Sequence, residues 1–193
     1  RQAGPLGPAV WAGIAGVAGM ALVQSMTFSF LERVGADRGF GLAAVTGVLV
    51  ALGIVNLCPA ALAAVLERRW PAHRVVRVGP VIQAALAATI MSATSFAPYA
   101  LAASMFAAVM IFTHTFAFGL LARLDPSGRA LAATPAMMMT GAAVGPILGG
   151  TLVKSLGYGS LAVASVLIAV LAAACFSRIP PTAAQPALHP VPA

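Results

Sequence analysis

Residues 41–66 read GLAAVTGVLVALGIVNLCPAALAAVL, twenty-six positions without one charged side chain. A helix needs about 20 consecutive, mostly apolar residues to cross the hydrocarbon core of a bilayer, so this stretch spans with length to spare. Working outward from it, comparable apolar runs occupy residues 9–31, 77–94, 98–122, 130–153 and 159–178. All fifteen Asp, Glu, Lys and Arg residues lie between these runs or at their rims. That distribution is expected where a charge at mid-bilayer costs about 2.5–3.5 kcal/mol. The composition agrees: 61% of the 193 residues are hydrophobic and 8% charged, whereas a soluble domain carries about a quarter charged residues. The sequence therefore predicts an all-α membrane protein, with six transmembrane helices over residues 1–178 and a disordered, Pro-rich cytoplasmic tail over 179–193.

The net charge of +7 could suggest a nucleic-acid partner, but its positions do not. Arg1, Arg68, Arg69, Arg74, Arg77, Arg123, Arg129 and Arg178 fall in one set of alternate connections, against Arg33, Arg38 and Lys154 in the other. Phosphate-tracking surfaces need clustered cations interleaved with aromatic rings. Alternate basic loops instead follow the positive-inside rule, which places both termini of the segment in the cytoplasm. Ala and Arg richness points to a bacterium with GC-rich coding, and so to its cytoplasmic (inner) membrane. The chain begins at Arg1 with no initiating Met, so a preceding segment is expected. Cys58 and Cys175 sit in separate apolar runs without metal-ligand spacing, and neither a metal nor a cofactor is expected. The spans contain no paired acids, no Ser-His-Asp set and no Gly-rich phosphate loop, so the sequence does not read as an enzyme.

Within the spans, polar side chains are few, and they are the candidates for a cavity wall. Gln24 and Phe28 share one helix face, as do Met110, His114 and Phe118, each set spaced by four residues. Polar groups flanked by rings suit a small organic solute, and Asn56 joins them as the amide of the second span. Gln83, in the third span, is a weaker candidate. Each amide could equally bond a neighbouring helix. In the fifth span Gly141, Gly145 and Gly149 recur every four residues, with Pro146 and Gly150 beside them. They predict a small-residue packing surface that could also hinge. Gly13, Gly16 and Gly19 form a looser stripe in the first span, while Pro59, Pro80 and Pro135 invite kinks in the second, third and fifth.

In span number, loop character and local motifs the chain resembles the major facilitator superfamily, in particular its second six-helix half. Phe30-Leu31-Glu32-Arg33-Val34-Gly35 is similar to the end of that family's seventh span, and Leu124-Asp125-Pro126-Ser127-Gly128-Arg129 to its loop between the tenth and eleventh. Gly141, Gly145, Pro146, Gly149 and Gly150 reproduce the G-x-x-x-G-P-x-x-G-G core of an antiporter element from the first half. However, Ala63, Trp70 and Pro71 stand where a first half would carry Gly, Gly and a basic residue, and Ala132 replaces the first Gly of the longer element. The resemblance is therefore to the second half, and it implies a missing N-terminal half of the same polypeptide. It also implies that the first, second, fourth and fifth spans face a cavity or the opposite half while the third and sixth lie outside, towards lipid.

The function this implies is secondary active transport of a small organic solute by alternating access, with the lipid bilayer as the other partner. Two alternatives stay open: a non-transporting membrane scaffold or assembly subunit, and a six-helix half-transporter working as a homodimer.

Overall fold

A computed structural model describes residues 5–181; most of the Pro-rich tail and Arg1 lie outside the described residues. The described chain is helical: α1 (Pro8–Asp37), α2 (Leu42–Val55), α3 (Pro59–Leu66), α4 (Ala72–Ser92), α5 (Phe96–Leu124), α6 (Arg129–Ala132), α7 (Thr134–Leu156) and α8 (Gly159–Ser177). They form six helical segments long and apolar enough to cross a membrane, α2 with α3 making the second and α6 with α7 the fifth. This identifies an integral, multi-pass membrane protein.

Helix ends follow local chemistry rather than the limits of the apolar runs. α1 continues to Asp37, beyond the run ending at residue 31, because Glu32 and Arg33 end hydrophobicity without ending hydrogen bonding. The second span breaks before Pro59, which has no N–H to donate to a preceding turn. α2 therefore stops at Val55, Asn56 serves as its C-cap, and α3 restarts at the proline. Pro80 and Pro146 are instead retained inside α4 and α7. Gly157, with φ of 76° just past α7, takes a positive-φ conformation that glycine adopts without strain where that helix ends.

α1 is the hub, packing on α7, α8, α5 and α4. Span 1 lies on span 5 as span 4 lies on span 2; span 3 lies on span 4 as span 6 lies on span 1; spans 3 and 6 pack on each other. Exchanging the first three spans for the last three thus preserves the main neighbours.

The α1–α7 contact is built on glycine. A Cβ at Gly141 would fall 2.6 Å from the Ala21 carbonyl carbon, one at Gly145 2.7 Å from the Met26 amide, and one at Gly149 2.9 Å from the Phe30 ring. The predicted packing surface therefore meets the backbone of α1 directly. Gly150 does not belong to it: nothing lies within 4 Å of where its Cβ would be, and Pro146 is exposed. At 100° per residue, position 150 has already turned off the face that carries 141, 145 and 149. Gly16 of the first-span stripe accepts the Phe176 ring of α8, and Gly79 brings α4 against Thr113 of α5.

Both rims are tied across elements. At one, Arg38 donates to the Ala93 and Met91 carbonyls at 2.5 and 3.0 Å, capping α4, and the Tyr158 hydroxyl donates to Asp37 at 2.5 Å. Burial, followed by the Asp37 contact, pushes the Tyr158 phenol above its ordinary pKa of 10.0 and keeps it a donor. At the other rim Arg123 meets Glu67 at 3.0 Å, joining α5 to the end of α3.

Candidate functional site

Two apolar clusters fill the bundle, one toward each rim. The first gathers Leu31, Val34, Ile90, Met91, Tyr99 and Phe106; the second gathers Met20, Val76, Phe116, Leu120, Leu121 and Phe176. Between them, at mid-depth, lies a polar layer of Gln24, Gln83, Thr113 and His114, all buried. A buried amide must find partners or lose about 1–3 kcal/mol of hydration. Here Gln83 Nε2 donates to Gln24 Oε1 and to the Met20 carbonyl, both at 3.1 Å. Thr113 turns its hydroxyl back to the Val109 carbonyl at 2.8 Å. His114 leaves Nε2 buried without a partner, and Thr27 likewise leaves its hydroxyl unpartnered.

A recess of about 460 Å³ opens beside this layer, lined by Ala21, Gln24, Ser25, Phe28, Ser29, Met110, Met138 and Ala142. Its position along the membrane normal follows from its lining: Gln24 lies within two residues of the middle of α1, Met110 is the middle residue of α5, and Ala142 is central to the fifth span. Holding Gln24 by its carbonyl oxygen leaves its Nε2 as the donor presented to the recess. Ser25 donates to the Ala142 carbonyl at 3.3 Å and Ser29 to the Ser25 carbonyl at 2.8 Å, so both hydroxyl oxygens remain available as acceptors. Phe28, which meets Phe106 edge to face at 5.6 Å, and the thioethers of Met110 and Met138 complete the wall. The lining holds no charged side chain. It can hydrogen-bond an uncharged polar group and pack an apolar one beside it.

Of the sequence-derived candidates, Gln24, Phe28 and Met110 come together here. His114 and Phe118 continue the same face of α5, their rings 5.5 Å apart, but do not line the recess. Asn56 is elsewhere: it sits in the α2–α3 break with a buried, unpartnered Oδ1. Gln83, the weaker candidate, is the residue that fixes Gln24. Ser29, Met138 and Ala142 were not anticipated. The first could have been read from its spacing of four from Ser25, whereas the others depend on which face of α7 meets α1. Among the described residues, no group of three His, Cys, Asp or Glu side chains is arranged to hold a metal ion.

No family model, curated protein or solved structure matches the chain.

Proposed function

We propose that the chain is the second half of a secondary active transporter of the major facilitator type, carrying a small organic solute by alternating access. The observation that carries this reading is the depth and chemistry of the recess: an amide donor and two hydroxyl acceptors stand at mid-bilayer, where a polar group facing lipid would be costly. Carriers hold their substrates at this level, between repeats that rock against each other. The exchange of neighbours between the first and last three spans supports the same reading, as does a glycine contact along which α1 and α7 could slide.

The uncharged lining favours a neutral solute, or the neutral portion of one, because a lone charge brought there would lose hydration without a counter-ion. Gln24 would donate to it, Phe28 and Met110 would pack its apolar part, and the absent N-terminal half would close the cavity. Binding and rocking, rather than covalent catalysis, is the chemistry. The rim bearing Arg68, Arg69, Arg74 and Arg77 would face the cytoplasm of a bacterial cell.

Solvent access tests this without knowledge of the solute. In full-length protein with Cys58 and Cys175 replaced by Ser, Ala142→Cys is expected to react with a membrane-impermeant maleimide from each side of the bilayer in turn. Val170→Cys, near mid-depth on the exposed face of α8, is expected to stay unlabelled. If Ala142→Cys is inert from both sides, the recess is sealed and the glycine contact and amide pair serve a scaffold.

A further inference from the structure

A second and larger hollow, about 630 Å³, lies on the opposite flank of α5, between α3 and α4. Its walls rest separately on α5: α3, which restarts at Pro59, packs against α5, and Gly79 seats α4 on Thr113. Leu62 and Leu66 of α3, Val78 and Ile82 of α4, and Phe112 of α5 face into it. From Arg74 down to Ile82 the α4 wall measures about 12 Å at 1.5 Å per residue, against about 15 Å for half of a 30 Å hydrocarbon core. The groove beneath Arg74 is thus deep enough for most of the leaflet-spanning length of an acyl chain.

Its mouth is basic. Arg74 lines it, Arg77 follows one turn later, and Arg68 and Arg69 stand in the adjoining turn. None of these four has an ion pair among the described residues, whereas Glu67, the acid of this stretch, is paired with Arg123. Half-exposed Trp70, next to Arg69 in the chain, lines the groove and meets Phe112 edge to face at 5.8 Å.

We propose that this groove binds a phospholipid with an anionic headgroup. One acyl chain lies along Val78, Ile82, Leu62 and Phe112, and the phosphate meets Arg74 and Arg77. Apolar walls beneath an uncompensated cationic mouth match an anionic lipid better than a second protein surface, which would have to bring its own carboxylates to the arginines. The inference rests on the six membrane spans and not on transport, so it stands or falls separately from the recess.

Trp70 reports directly on the occupant. The full chain, with every other tryptophan replaced by Phe, is placed in phosphatidylcholine vesicles containing a minor fraction of brominated lipid. Brominated phosphatidylglycerol is expected to be enriched at Trp70 over brominated phosphatidylcholine, by roughly five-fold for each arginine engaged. Arg74→Gln with Arg77→Gln should abolish the preference. Val78→Phe, which fills the groove from an exposed position and leaves the charges intact, should remove the excess quenching. Equal quenching by the two lipids overturns the proposal. So does quenching by neither, which would mean that a second copy or another part of the protein covers the groove.

Discussion

Gly145→Ala tests the α1–α7 contact through a single methyl group. In the native arrangement that carbon would lie 2.7 Å from the Met26 backbone nitrogen and from both Cβ and Oγ of Ser25. Carbon contacts are optimal at about 3.5–4.0 Å, so the helices must part by roughly 0.8 Å or more, and a gap of that order forfeits a quarter to a half of each dispersion contact along the seam. Because a backbone atom is among those struck, no rotamer change relieves it. Overpacking of this kind costs about 1–3 kcal/mol. The Ser25 to Ala142 hydrogen bond, already 3.3 Å long, would be lost with it. Gly150→Ala is the matched control: it lies on the same helix, and its added methyl meets nothing within 4 Å. There the usual Gly-to-Ala gain of about 0.5–1 kcal/mol in a helix should appear. Unfolding of the full chain by denaturing detergent in mixed micelles should therefore move in opposite directions for the two variants. If both stabilise, or both destabilise equally, α1 and α7 do not meet through Gly145 and the described packing is wrong.

Gln24→Leu should leave the buried Gln83 amide with the Met20 carbonyl as its remaining acceptor, and Gln83→Leu should leave Gln24 Oε1 without its donor. The double variant should recover part of the loss, with a coupling of about 0.6 kcal/mol and no more than about 1.7; zero coupling in the same unfolding assay would mean that the amides do not pair. Asp125 makes a pH prediction outside the spans. Its carboxylate accepts from the Ser127 hydroxyl and the Ala130 amide, and these contacts, the hydroxyl foremost, hold its pKa below the usual 3.8. A depressed folded-state pKa stabilises the turn fully above the unfolded value and loses that stabilisation as the pH falls from about 3.8 through the lower, folded one. Amide exchange at Ala130 should accelerate, relative to its intrinsic rate, on acidification through that window, and Asp125→Asn should remove the step.

The spans were legible because hydrocarbon imposes a length and excludes charge, and residues 41–66 meet both conditions without reference to any neighbour. The glycine seam was legible for a similar reason, since the spacing of 141, 145 and 149 already places them on one face. Adjacency misled at Gly150, where one residue of helical rotation removes it from the contact. Partners across helices could not be read, because no local pattern fixes the rotation of one helix against another. Gln83 was undervalued because the resemblance put the third span toward lipid; Gly79 instead draws α4 against α5, and the amide reaches Gln24. Asn56 was chosen for its chemistry alone, and the Pro59 break that decides its location sets it apart from the recess.

That α1 carries both Gln24 and the backbone received by the fifth-span glycines has a consequence for how the protein is made. The chain enters the membrane from its N-terminal side, so α1 precedes every segment that leans on it. The second span, free of charge throughout, can partition into lipid on its own apolarity. The third brings Gln83 into the bilayer when its acceptor is already there, and the fifth, rich in glycine, arrives with the surface it must fit already in place. Assembly in order of synthesis therefore spares the polar and glycine-rich segments an interval alone in hydrocarbon.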